Sequence, residues 1–228
     1  MEQKKLESLN NVSSENQVSQ YVTFDGVNGG TPRIMFIGNS TTRHAPKPDI
    51  GWYGNWGMAA SSKEKDFVHL VMAEIQKSHP NSEFCIVQAS IWEINYKNCD
   101  YDAYFKEAAS FKPDIIMCNI SGNIPKEEFE INAFKENIDK LYKYLSGGNE
   151  KVKIFEGSHF FGNPDKCKAI REHTAERGIT YIEISDIAQD KSNLAFGKFE
   201  HMGVQAHPGD KGMQEIAARH IQALKGWL

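Results

Sequence analysis

Residues Arg33-Ile34-Met35-Phe36-Ile37-Gly38-Asn39-Ser40 form a short apolar run that breaks off abruptly in Gly38-Asn39-Ser40. Read as a strand, the run stops on a glycine and leaves the next hydroxyl at the carboxyl edge of a sheet. Open α/β folds place their ligands at that edge. Working outward, residues 63–78 carry Phe67, Leu70, Val71 and Ile75 at helical spacing and stop at Pro80. Residues 83–88 read as a second strand and 101–110 as a short helix closed by Lys112-Pro113. Residues 114–120 are an apolar strand with almost no alternation, as expected when both faces are covered. A long amphipathic helix over 126–145 ends at Gly147-Gly148. A strand at 151–156, a helix at 165–177, a strand at 179–184 and a last helix at 209–224 complete the order.

Strand and helix alternate with no internal repeat and no linker. The expected fold is α/β: a flavodoxin-like three-layer sandwich with a central, mostly parallel five-stranded sheet and helices on both faces. Residues 18–24 alternate weakly, in the manner of an edge strand. Residues 1–30 therefore read as a polar N-terminal segment and 31–228 as one domain. Residues 41–62 do not fit the alternation. They join strand to helix with no regular pattern and hold Trp52, Tyr53 and Trp56 among glycines and prolines. A connection this long in a compact domain is usually functional.

At 228 residues the chain suffices for one α/β domain with a sizeable core. Its net charge of −4 comes from 30 acids against 26 bases with no basic block, which argues against a nucleic-acid partner. The four cysteines, Cys85, Cys99, Cys118 and Cys167, lie apart with no CxxC pair and no zinc spacing. No apolar stretch is long enough for a membrane span, and the first residues lack the apolar core of a signal peptide. The expectation is a cytoplasmic protein with a small-molecule partner.

Ser40 after the first core strand and Ala206-His207-Pro208-Gly209 before the last helix place a serine early and a histidine late. That order is one that Ser-His hydrolases use, and such sites are defined by geometry and role rather than by spacing. With these blocks in place the chain resembles the SGNH/GDSL-type hydrolases over residues 33 to 224. Gly38-Asn39-Ser40 stands where that family has Gly-Asp-Ser, Ser121-Gly122-Asn123 where it has Gly-x-Asn-Asp, and His207 at its histidine. The resemblance implies an ester hydrolase without cofactor or metal. Ser40 would be the nucleophile and His207 the base, with Asn123 and the amides of Ser40 and Ser90 as the oxyanion hole.

Two departures stand out. Ser90 occupies the place of a family glycine, and Val204 stands where the family has the aspartate that orients the histidine. Glu200, Asp186 and Asp210 are near in sequence but none matches the motif, so a backbone carbonyl near Val204 is the expected acceptor for the second imidazole nitrogen. Seven other histidines compete for the base, of which His201, in the same loop, is the main rival. Trp52, Tyr53, Trp56 and Trp92 are candidates for a substrate-contacting wall, against the alternative that they anchor the loop and core. The substrate expectation is a small acyl ester, acetyl on a carbohydrate first. A lysophospholipase or thioesterase, and a catalytically silent ligand-binding domain, are the competing readings.

Overall fold

A computed structural model of the chain describes residues 21–227. Residues 18–20 of the expected edge strand lie outside the described residues, as does most of the expected N-terminal segment. The strands are β1 (Val22–Gly26), β2 (Arg33–Gly38), β3 (Glu83–Gln88), β4 (Ile115–Asn119), β5 (Lys153–Gly157) and β6 (Thr180–Ile182). They form one sheet in the order β1-β3-β2-β4-β5-β6. All neighbouring pairs are parallel except β1 with β3. The sheet thus has the five parallel strands expected plus an antiparallel edge strand, which makes six.

The helices are α1 (Phe67–Ser78), α2 (Ser90–Asn95), α3 (Tyr101–Ser110), α4 (Ile131–Leu145), α5 (Pro164–Arg177), α6 (Met202–Gln205) and α7 (Asp210–Leu224). The residues of β2 show why apolar runs replace alternation here. Ile34 and Phe36 pack with Phe67, Val71 and Ile75 of α1 and with Met213 and Ile216 of α7. Met35 and Ile37 pack on the opposite face with Trp92, Phe105, Phe134, Leu141 and Ile170, drawn from α2 to α5. Both faces are covered, so every position from Ile34 to Ile37 is apolar and at most 1% exposed.

Local signals close the helices as the side chains require. Asp66 accepts from the His69 amide at 2.7 Å at the start of α1, and Asn163 from the Lys166 amide at 3.1 Å at the start of α5. Gly178 ends α5 in the left-handed region at φ 65°.

Register brings the site together. Gly38 pairs with Gln88 on one side and with Asn119 on the other, so β2, β3 and β4 end level. The chain leaves β2 for β3 on one flank and returns to β4 on the other, which makes the end of β2 the topological switch point of the sheet. Glycine is required at the end of β2, because a Cβ at Gly38 would lie 1.8 Å from Thr42 Oγ1. The turn that follows folds tightly back over the strand end.

The 41–62 connection is ordered by short bridges, His44 with Trp56 and Lys47 with Trp52. Trp52, Met58 and Ala59 form a small third core with Ala195 and Val204, against which Trp56 and Phe199 pack. This connection is a structural platform beneath the segment that carries His207.

Candidate active site

Ser40 lies in the turn beyond β2. Asn39 shapes that turn: its backbone carbonyl accepts from the amides of Thr42 and Arg43, and its Oδ1 from the Thr41 amide at 3.2 Å. Among the described residues the Ser40 amide has no internal acceptor, so it remains free to donate. His207 is held from across the domain. Its amide donates to Val204 O at 3.1 Å and its carbonyl accepts from the Ala195 amide at 2.9 Å. The two side chains meet with Ser40 Oγ 2.6 Å from His207 Nε2.

The second imidazole nitrogen, Nδ1, is 2.7 Å from Gly203 O. A carbonyl can only accept, so Nδ1 carries the proton and Nε2 is left as the acceptor for the Ser40 hydroxyl. The acids near in sequence are engaged elsewhere or turned out. Asp186 takes both terminal nitrogens of Arg219 at 2.6 and 2.8 Å. Asp210 accepts from Ser61 and Lys65, and Glu200 is exposed. No carboxylate could stand at residue 204 without entering an apolar cluster, since Val204 is 0% exposed beside Trp52 and Ala195. Burial holds the His207 pKa below the ordinary histidine value, opposed by the Gly203 carbonyl and helped by nearby His44. His201 is exposed, and its carbonyl caps α6.

Asn123 is presented by the turn after β4. That turn is clamped from both sides. Glu93 of α2, 0% exposed, accepts from the Ser121 amide at 2.6 Å, from Asn39 Nδ2 at 3.2 Å and from Asn123 Nδ2 at 2.5 Å. From the other side the buried Lys166 ammonium donates to the carbonyls of Ser121 and Ile124, each at 2.7 Å. Burial raises the Glu93 pKa, opposed by its hydrogen bonds from Asn39, Asn123 and Ser121. Burial likewise lowers that of Lys166, opposed by Glu93. Neither residue carried a signal in the sequence. Helix α2 is too short to show a buried face, and the residues of α5 do not separate into an apolar and a polar face.

Ser121 itself sits at φ 107°, and its hydroxyl is buried without a hydrogen-bond partner. Each of these costs on the order of 1–3 kcal/mol. Ser121→Gly relieves both at the expense of about 0.4–1 kcal/mol of added chain entropy. The variant is expected to melt at least about 2–4 °C higher with ester hydrolysis retained, as measured by calorimetry and a p-nitrophenyl acetate assay. A lower melting temperature would contradict the strain.

Ser90 opens α2 beside Asn123, whose Nδ2 donates to Ser90 Oγ at 3.1 Å. The Ser90 amide, expected as an oxyanion donor, instead donates to Gln88 Oε1 at 3.1 Å. The aromatic candidates lie apart from the Ser40 cavity. Trp92 is 0% exposed within the core, and Trp52 is 2% exposed with its indole N–H on His44 O at 3.0 Å. Trp56 is half-buried and donates to Ala60 O at 3.0 Å, while Tyr53 is exposed. These positions favour the anchoring alternative for Trp52 and Trp92, because a buried indole has no face to offer a substrate.

Two recesses open near Ser40. A cavity of about 140 Å³ reaches Ser40, His207 and Asn123 and is walled by Phe67, Ile120, Phe160, Ile184 and Ile216. A wider groove of about 470 Å³ runs past Ser90, Gln88, His44 and Lys47. Among the described residues no cluster of His, Cys, Asp and Glu could hold a metal ion, and no helix is long and apolar enough to cross a membrane.

The fold and these side chains define an open α/β domain with a paired serine and histidine at its switch point. No protein-family profile and no curated protein matches the chain. Solved structures do. The psychrotrophic esterase EstA of Pseudoalteromonas sp. aligns with TM-score 0.54 and 12% identity over 86% of this chain and 98% of its own. A lipase/acylhydrolase from Enterococcus faecalis aligns with TM-score 0.56 and 12% identity over 87% and 97%. A family two carbohydrate esterase from Clostridium thermocellum, solved with cellohexaose, gives TM-score 0.58 and 14% identity over 87% of this chain and 66% of its own. At these identities the likeness is one of fold, and the fold is the one that the SGNH/GDSL-type resemblance implies.

Proposed function

We propose that this chain is a serine ester hydrolase that removes a small acyl group, with Ser40 as nucleophile and His207 as base. The observation that carries the reading is the 2.6 Å contact of Ser40 Oγ with His207 Nε2 at the switch point of the sheet. Ser40 attacks the ester carbonyl while Nε2 takes its proton, and the imidazolium returns that proton to the leaving alcohol. Water then attacks the acyl-serine with the same base. The Ser40 amide and the Asn123–Ser90 edge face the developing oxyanion, where one such donor is typically worth about 3 kcal/mol.

The Gly203 carbonyl takes over one task of the missing aspartate, since it fixes the tautomer that leaves Nε2 free to act. It stabilises the imidazolium less than a carboxylate would, so turnover is modest. It also leaves the base with no charge that would raise its pKa. His207 is neutral and competent above its pKa, which lies below the ordinary 6.5. The acid limb of kcat/KM is therefore expected below pH 6.5, with activity held to lower pH than an unperturbed histidine allows. A limb centred at or above 7 would point to a carboxylate partner.

The apolar cavity is the proposed acyl site and the wider groove the proposed exit for the alcohol. An apolar cavity of about 150 Å³ holds a benzene ring, so acyl groups of up to about six carbons are accommodated. Acetyl on a carbohydrate is the first substrate to try; the fold likeness to a carbohydrate esterase supports the sugar. Rates on p-nitrophenyl esters from acetate to decanoate, alongside release of acetate from acetylated xylan, test the reading. We expect turnover through hexanoate, a steep fall beyond it, and acetate release. A maximum at decanoate would instead favour the lysophospholipase or thioesterase reading.

A further inference from the structure

Ser90 stands where the resembling family has glycine, so its hydroxyl is an addition to the site. Its hydrogen bonds can be counted. Gln88 Nε2 donates to Ser90 Oγ at 2.7 Å, and Asn123 Nδ2 donates to the same oxygen at 3.1 Å. Chemistry fixes both amide orientations. Gln88 must turn its oxygen to the Ser90 amide, and Asn123 must turn its nitrogen to the Glu93 carboxylate. A hydroxyl has two lone pairs and one hydrogen. Both lone pairs are taken by groups that cannot accept, and no described residue accepts the remaining hydrogen. The backbone N–H of Ser90, by contrast, is already engaged by Gln88. The two hydrogens of Asn123 Nδ2 are engaged as well, one by Glu93 and one by Ser90 Oγ.

We propose that the Ser90 hydroxyl, and not its backbone amide, is the donor that this position supplies to the oxyanion hole. It is thus a further catalytic residue. The inference rests on the reading of Ser40 as nucleophile. Gln88 and Asn123 both donate into Oγ, which polarises the O–H bond toward the oxygen that becomes negative. Asn123 then reaches the oxyanion largely through Ser90, a chain from Nδ2–H to Oγ–H to the substrate oxygen. Hydrogen bonds strengthen along this chain and no proton is transferred.

The test is kinetic, on p-nitrophenyl acetate, in the whole chain and in two backgrounds. In the wild-type background Ser90→Ala and Ser90→Gly are each expected to lower kcat about 100-fold, with KM changed less than about threefold. Ser90→Thr, which keeps the hydroxyl, is expected to retain most of the rate. In the Asn123→Ala background Ser90→Ala is expected to cost at least a further fivefold, because a direct donor still acts when Asn123 is gone. Three results would overturn the inference: unchanged or raised kcat in both Ser90→Ala and Ser90→Gly, equal loss in Ser90→Thr, or no further loss in the Asn123→Ala background. The last would make Ser90 merely a support for Asn123. A fluorophosphonate probe keeps this apart from the underlying reading. Labelling of wild-type Ser40 upholds the nucleophile whatever Ser90 does, and a wild type that is neither labelled nor active removes both claims together.

Discussion

Ser40→Ala is expected to lower turnover of p-nitrophenyl acetate by at least about 10³-fold while the domain stays folded. The alanine removes the proposed nucleophile, since Ser40 Oγ is the atom 2.6 Å from His207 Nε2. Removing one partly buried hydroxyl changes stability by about 1 kcal/mol or less, so the melting curve separates loss of chemistry from loss of fold. His207→Ala should match the loss. The double variant should be no worse than either single one, because a nucleophile and its base act as a unit. His201→Ala should leave the rate near wild type, since its side chain is exposed and its capping role is carried by the backbone. A Ser40→Ala protein that kept most of its turnover would place the chemistry elsewhere.

Glu93→Gln is expected to have the second largest effect, and on two observables at once. The carboxylate accepts from Asn39, Ser121 and Asn123 in a site with no exposure. Glutamine keeps one acceptor and turns an NH₂ toward at least one existing donor. A buried donor left without an acceptor costs about 1–3 kcal/mol, and the facing NH₂ adds a second such group. The variant is expected to melt about 5–10 °C lower. Its kcat should fall about 100-fold even at temperatures where it is folded, because Asn39 shapes the Ser40 turn and Asn123 belongs to the proposed oxyanion edge. Calorimetry and kinetics at a temperature well below the transition measure both. A melting temperature within a degree of wild type with unchanged kcat would show that Glu93 is not what holds the two turns together.

The layout of the domain could be read from residues because burial on two faces leaves a trace in sequence. Ile34 to Ile37 and Ile115 to Cys118 are apolar without alternation because helices cover both sides of the sheet. Ser40 is legible as the residue that follows an apolar run stopping on glycine, and His207 as a late histidine before the last helix, whereas Asn123 is marked only by the resemblance to the SGNH/GDSL-type hydrolases. Element ends were less legible. The expected helix over 126–145 begins regular α-structure only at Ile131, after a short 3₁₀ turn at Lys126–Glu128, because Pro125 and Phe129 hold extended backbone there. Helix α2 was not foreseen. Ser90-Ile91-Trp92-Glu93-Ile94-Asn95 follows a strand directly and is too short to show helical spacing.

What escaped the sequence depends on contacts between distant segments. Glu93 and Lys166 clamp one turn from opposite sides across 73 positions of chain, and nothing local marks either as buried. Trp52, in a long connection after Ser40, reads from sequence either as a substrate wall or as a loop anchor. Its partners Ala195 and Val204 lie some 140 to 150 residues away and make it a core residue instead. The same contacts explain Val204. The position is buried against tryptophan, and it is the carbonyl of Gly203, next to it in the chain, that meets the second imidazole nitrogen of His207.

The most direct test of the central claim is covalent. The wild-type chain, treated with a fluorophosphonate at neutral pH and digested for peptide mass spectrometry, should carry one phosphonyl group on Ser40. Labelling should be abolished in Ser40→Ala and strongly slowed in His207→Ala. Under the same conditions, an unlabelled Ser40, or a label on another serine that persists in Ser40→Ala, would contradict the account.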